Sequence, residues 1–221
     1  MGEVNETYRE RIARRAAQEI KDGMIINLGI GIPTLVADYI APEKRVMFHA
    51  ENGILGTGPS PVKGEENPML CNAGGFPVTL AAGASFFDSA TAFAIIRRGL
   101  LDMTILGALE VNQEGDIANW IVPGKRVPGM GGAMELAQKA RQVMVLTTHL
   151  DKNGRSKIVR ECSLPLTARR AANWIITDMA VMEVRTDGLY LREVMYPYSV
   201  GDVIGATEAE LKIDGEVPVF T

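Results

Sequence analysis

Apolar positions along the chain fall into short runs separated by segments of helical period. Tyr8, Ile12, Ala16 and Ile20 recur at helical spacing, with Gly23 following as a stop, and predict a surface helix near the start. "MIINLGI" reads as a strand, and "PTLVADYI" as a short helix with Pro33 in its first turn. "RVMFHA" is a second strand, ending at Glu51. In "DSATAFAIIRRG", Asp88 or Ser89 is the expected N-cap, Phe93 and Ile96 share a helical face, and Gly99 ends the helix. "DMTILGAL" and "RQVMVLTTH" are continuous apolar runs, the pattern of strands covered on both faces in a parallel sheet. Between them "VPGMGGAMELAQKA" reads as a glycine loop opening a helix, and "AVMEVRTDGLYLREV" as a hairpin turning at Asp187-Gly188.

This alternation predicts an α/β fold with a mainly parallel open sheet and flanking helices. With no repeat or low-complexity tract, residues 1–221 are expected to form a single domain. Sheets of this kind place ligands in loops beyond the strand C-termini. Three glycine-rich stretches are candidates: Gly29–Gly31, Gly53–Gly58 and Gly129–Gly132.

Composition narrows the chemistry. A net charge of −4 gives no basic footprint for nucleic acid. No apolar run is long enough to span a membrane. The arginine-rich start carries Glu6, Glu10 and Glu19, unlike a transit peptide. Cys71 and Cys162, with His49 and His149 far apart, have no metal-ligand spacing, so no metal is expected. Both cysteines read as plain buried thiols in a reducing, cytoplasmic setting.

The residues that bear chemistry each have a bland reading beside the functional one. "NLGIGIP" lacks the last glycine of a dinucleotide fingerprint, since Thr34 stands there. It is either a tight strand-to-helix turn or a stretch that lets another group approach Glu51 closely. Gly131, Gly132 and Ala133 precede a predicted helix, so their N–H groups are either part of a plain loop or a donor set for an oxyanion. Glu51, in "HAENGILGTGP", is a solvated loop charge or a carboxylate held for reaction. His49 reads as a core or strand-edge histidine on the same face as Glu51. Lys125 and Arg126 are solvated charges or a phosphate contact.

Taken together, "NLGIGIP", "ENGILGTGP", "NAGG", "GASFFDSATAFAIIRRG", "LGALEVNQEGDIANWIVPGK", "GMGGAME" and "LPLTA" resemble, in order and spacing, the β subunit of the class I coenzyme A transferases. The resemblance implies a fold shared with ribose-5-phosphate isomerase and glucosamine-6-phosphate deaminase-like proteins. It implies that Glu51 is a nucleophile carrying coenzyme A as a thioester during turnover, with no tightly bound cofactor. Gly131, Gly132 and Ala133 would meet the oxyanion and the CoA arm. Asn27 would orient the glutamate, and Gly29, Gly31, Asn52 and Gly53 would shape its surroundings. The implied substrates are a 3-oxoacyl-CoA such as acetoacetyl-CoA, or succinyl-, acetyl- or butyryl-CoA, with a free carboxylic acid. The implied partner is an α subunit, in a heterodimer or an α2β2 heterotetramer. The chain departs from the family pattern at Ala50, where serine is usual, and at Glu135, where aspartate is common. Competing readings are a phosphosugar isomerase-like enzyme and a non-catalytic acyl-CoA-binding subunit.

Overall fold

In the computed structural model, which describes residues 6–124 and 129–221, the continuous apolar runs form the middle of one large sheet. Elements in chain order are α1 (Tyr8–Ala17), β1 (Ile25–Leu28), a 3-10 helix (Ile32–Tyr39), β2 (Met47–Ala50), β3 (Ile54–Thr57), β4 (Leu80–Phe86) and α2 (Ser89–Arg97). There follow β5 (Met103–Gly107), β6 (Glu110–Asn112), β7 (Ile117–Ala118), α3 (Ala133–Lys139), β8 (Gln142–Leu146) and β9 (Ile158–Val159). The last are β10 (Trp174–Ile176), β11 (Ala180–Arg185), β12 (Gly188–Met195), α4 (Val200–Ala206), β13 (Leu211–Lys212) and β14 (Val219–Phe220).

The main sheet runs β13-β12-β11-β10-β8-β5-β1-β2-β3-β4, with β14 also on β12. Its centre, β10-β8-β5-β1-β2, is parallel throughout, and antiparallel strands extend it at both ends. The expected α/β class and mainly parallel sheet are therefore present. Side chains alternate between two cores, as strand geometry requires. Val143, Val145 and Leu106 pack with Ile96 of α2, Leu136 of α3 and Val203 of α4. Met144, Leu146 and Ile105 pack on the other face with Ile12 and Ala16 of α1 and Val36 of the 3-10 helix. A smaller sheet, β7-β6-β9, adds Val111, Ile117 and Ile158 to the first core.

Local chemistry explains the helix ends. Thr7 and Glu10 form a reciprocal capping box at the start of α1. The helix stops at Ala17 rather than running to Gly23, although Ile20 is still fully buried beyond it. Gly23 instead turns the chain into β1 at φ +80°, donating its N–H to the Arg45 carbonyl. The predicted hairpin is present, but Arg185 pairs with Gly188, so the turn residues are Thr186 and Asp187. "ENGILGTGP" differs most from expectation. It is a hairpin, with Ala50 paired to Ile54 across residues 51–53, and Gly56 lies inside β3.

Candidate active site

From β1 the chain steps one way along the sheet to β2, and later strands β5, β8 and β10 add on the other side of β1. The strand order thus reverses around β1, and such a switch point opens a crevice beyond the strand C-termini. Glu51 follows the last residue of β2 there, at the first position of the hairpin turn. Asn27 on β1 is paired in register with His49 on one side and Thr104 on the other.

The three strands share a line of hydrogen bonds. Asn27 Nδ2 donates to Glu51 Oε2 at 3.1 Å and to the His49 carbonyl at 3.1 Å. Thr104 Oγ1 donates to Asn27 Oδ1 at 3.3 Å. Asn27 and Thr104 are both fully buried, so the amide has few alternatives to this orientation. Thr104 is a residue that sequence reasoning missed.

The other carboxylate oxygen faces the loop before α3. A methyl group placed on Gly132 would lie 3.2 Å from Glu51 Oε1 and 3.3 Å from the Phe93 ring, so glycine leaves room for the carboxylate. The expected donor set needs one correction. The Ala133 N–H is not free, because it donates to the Met130 carbonyl at 3.3 Å. Gly131 and Gly132 have no such turn partner among the described residues. Glu135 does not point at Glu51: it forms a two-bond ion pair with Arg97 at 2.6 and 2.9 Å, fastening α3 to α2. That bond holds the Glu135 carboxyl below its usual range.

Of the remaining candidates, Gly53 and Asn52 lie beside Glu51 in the turn, and the others lie further off or outside the described residues. Gly53, at φ +111°, lies so close to Phe87 that an added Cβ would be 2.0 Å from its carbonyl oxygen. Asn52 Nδ2 donates to the Cys71 carbonyl at 2.8 Å, tying the turn to the loop before β4. Gly29 abuts the Ile105 backbone, to which its N–H donates at 2.8 Å, and Gly31 opens the 3-10 helix at φ +96°. Neither of the two is among the residues lining the cavity around Glu51. His49 is buried, with Nε2 3.2 Å from the Ala92 carbonyl and Nδ1 without a partner among the described residues, and burial lowers its pKa. Cys71 is exposed, contrary to expectation, because it sits in the surface loop that Asn52 holds. Cys162 is half-buried, and burial pushes its thiol up to about 12. Lys125 and Arg126 lie outside the described residues.

The cavity at Glu51 is about 30 Å³ and is walled by His49, Thr57, Asn72, Ala73, Pro77 and Val78 among others. A larger cleft, about 660 Å³, lies against β11–β13 at the far end of the sheet. Its cations are already paired, Arg185 with Glu183 and Asp214, and Arg170 with Glu114, which leaves little free charge for a ligand. Among the described residues no group of three metal-ligating side chains converges, and no helix is long and apolar enough to cross a membrane.

An open α/β sheet that fixes one carboxylate at its switch point, between an amide donor and a glycine loop, is suited to covalent acyl transfer. The chain belongs to the coenzyme A transferase family, whose model matches residues 9–206. It is 58% identical over 93% of its length to 95% of a probable coenzyme A transferase subunit beta from Bacillus subtilis. It is 47% identical over 95% of its length to a mouse mitochondrial succinyl-CoA:3-ketoacid coenzyme A transferase, of which it spans 41%. The fold matches an acyl-CoA transferase from Escherichia coli O157:H7, solved as its thioester complex with CoA, with a TM-score of 0.73. There the identity is 21%, and all of this chain covers 44% of that one. The chain is thus an enzyme subunit of the transferase class, and the family match disfavours the isomerase reading.

Proposed function

We infer that Glu51 is the nucleophile of a ping-pong CoA transfer. Its carboxylate attacks the acyl-CoA carbonyl, forming a glutamyl–acyl anhydride and expelling the CoA thiolate. The thiolate then attacks the glutamyl carbonyl, leaving CoA on Glu51 as a thioester and freeing the first carboxylic acid. A second acid attacks this thioester, and the steps run in reverse to release its CoA ester. The observation that carries this reading is the two-sided hold on one carboxylate: Asn27 Nδ2 at Oε2 and Gly132 beside Oε1.

Each tetrahedral intermediate places negative charge on oxygen, where one preorganised donor is worth roughly 3–4 kcal/mol. Asn27 Nδ2 and the Gly131 and Gly132 N–H groups are the candidate donors from this chain; Ala133 serves by starting α3. Gly53 and Asn52 hold the turn, and Gly29 and Gly31 shape the neighbouring loop. The substrates are a short 3-oxoacyl-CoA, or succinyl-, acetyl- or butyryl-CoA, with a free carboxylic acid, a range supported by relatives named for succinyl-CoA:3-ketoacid and acetate CoA transfer. The 30 Å³ cavity is far below the 300 Å³ or so of an ordinary ligand site, so a second, α-type subunit would supply the missing walls. We place the resulting heterodimer or α2β2 assembly in the cytoplasm.

The decisive experiment is peptide mass spectrometry of this chain, assembled with its partner and mixed with acetoacetyl-CoA or succinyl-CoA. A CoA adduct on the Glu51 peptide, discharged by a carboxylic acid and missing from Glu51→Ala, is expected. Unchanged transfer by the Glu51→Ala complex would overturn the assignment. Binding of acyl-CoA without adduct or transfer would favour a non-catalytic subunit.

A further inference from the structure

Both walls of the Glu51 crevice touch α2 or the residues that lead into it. Just before the helix, the Phe87 N–H donates to the Gly53 carbonyl at 3.0 Å, inside the turn that carries Glu51. One turn into the helix, the Ala92 carbonyl meets His49 Nε2 at 3.2 Å. The His49 ring also stacks on Phe87, with centroids 6.3 Å apart. Phe93, the next residue, reaches the other wall. A Cβ on Gly132 would lie 3.3 Å from its ring and 3.2 Å from Glu51 Oε1. Ring and carboxylate therefore approach the same point of the Gly131–Gly132 loop.

Arg97 stands one helical turn beyond Phe93, on the same face of α2. Its guanidinium carbon is 5.6 Å from the Phe93 ring centroid. Two of its nitrogens hold Glu135, the third residue of α3, at 2.6 and 2.9 Å. The start of α3 needs such an outside hold, because its N-cap is Gly132, which has no side chain to cap the helix. Gly129 and Gly131, just before it, would give a Cβ nothing to meet within 4 Å. The ion pair is exposed, its side chains 60% and 35% accessible, and a pair so placed adds little to stability. A two-bond fork does fix direction. The pair is thus better suited to placing α3 than to keeping the chain folded.

We propose that Phe93, backed by Arg97 and Glu135, is a positioning residue that fixes the gap between Glu51 and the Gly131–Gly132 loop and closes it to water. The proposal rests on the transferase reading of Glu51. That reading makes two demands on the gap. The loop N–H groups must stand at hydrogen-bond distance from the oxyanion that forms on the glutamyl carbonyl. Water must also be kept from the Glu51–CoA thioester. A water molecule reaching it would add to the glutamyl carbonyl: a C–O bond forms, the C–S bond breaks, and the departing thiolate takes a proton from the water. Free Glu51 and CoA thiol result, and the acyl-CoA is spent without transfer. A rigid apolar ring beside Gly132, clasped from behind, meets both demands.

The test uses the complex assembled with the partner subunit, with acetoacetyl-CoA as donor and succinate as acceptor. Arg97→Ala should lower kcat for transfer about tenfold, with KM for acyl-CoA little changed. Hydrolysis of its Glu51–CoA adduct, isolated from acyl-CoA and followed as free thiol, should accelerate about tenfold. Its melting temperature should move by less than about 3 °C. Exchanging the charges, Arg97→Glu with Glu135→Arg, should recover most of the transfer. Phe93→Ala should show both changes more strongly, and if it fails to fold, Arg97→Ala carries the test. Arg141→Ala breaks a comparably exposed pair with Asp102, its own side chain 66% accessible, and should alter neither readout. Wild-type transfer and adduct lifetime in Arg97→Ala would overturn the proposal. So would a loss of transfer that follows melting temperature while adduct lifetime stays unchanged. The two readings fail distinguishably. A wild-type adduct whose lifetime no variant alters sinks the positioning role alone, and a wild-type complex that never carries CoA on Glu51 sinks the mechanism and the positioning role with it.

Discussion

Thr104 stands one strand further from Glu51 than Asn27, yet its hydroxyl, together with the His49 carbonyl, holds the Asn27 amide with Nδ2 toward Glu51. If its hydroxyl is lost, Oδ1 is left buried without that partner and the amide is held at its nitrogen alone, so Nδ2 is aimed less firmly at Glu51. Thr104→Val is therefore expected to lower kcat of the assembled enzyme about tenfold, the equivalent of one hydrogen bond of about 1.4 kcal/mol, with KM for acyl-CoA little changed. Thr104→Ser should restore it, and wild-type kcat in the valine variant would show that Asn27 is held by its other contacts. Glu51 and Asn27 were legible through the motifs around them. Thr104 was not, because its role depends on the register of β1 with β5 across 77 positions of sequence. His149 offers a second test at this scale. It is fully buried between the Thr177 and Thr207 hydroxyls, and burial lowers its pKa to about 4. The folded state prefers the neutral ring, so this contribution is complete above the unfolded value near 6.5. It is lost as pH falls from there toward 4, to a total of about 3 kcal/mol. Denaturant titrations at pH 7 and pH 5 should show a drop about 2 kcal/mol larger than in His149→Gln, which keeps the part due to buried His49. Equal drops in both proteins would remove His149 as the cause.

At the scale of elements, the hairpin β2–β3 converts a glycine-rich string into a support. Gly53→Ala would combine a left-handed backbone with a Cβ 2.0 Å from the Phe87 carbonyl. Strain and displacement should cost on the order of 2–4 kcal/mol. A shift of Glu51 by about 1 Å would reduce kcat on the order of 100-fold. Gly64→Ala is the matched control, with φ +94° and open space around it, and should cost only about 1 kcal/mol. Thermal unfolding and turnover of both variants would check this, and equal losses would mean the close approach to Phe87 is unimportant. The same hairpin shows what pattern reading could not reach. β5 and β8 announced themselves as apolar runs because they are covered on both faces. α2 announced itself by its Asp88 cap and Gly99 stop. β3 and β4 are built from glycine, alanine and serine as much as from β-branched residues, and their partners lie across a turn that reads as loop. Cys71 went astray for the same reason. It was expected to be buried, but it lies in the surface loop before β4, the strand that ends the sheet.

Across the whole molecule, two cores lie back to back on one sheet, with helices on both sides. Arg15 of α1, almost buried, grips Glu193 of β12 through two bonds of 2.6 Å and so ties one end of the chain to the antiparallel end of the sheet. Unfolding of the separate chain is therefore expected to be a single transition, with calorimetric and van't Hoff enthalpies in agreement. Two resolved transitions would divide the 221 residues into separate domains. The division of labour at the switch point has a further consequence. The carboxylate is tethered by buried groups of the central strands, while the surroundings it shows to a substrate come from surface segments, among them residues 72–78. Those segments can be rewritten by mutation without disturbing the tether. If Glu51 is the nucleophile inferred above, a lineage built on this plan can exchange one acid for another while inheriting its reactive group unchanged.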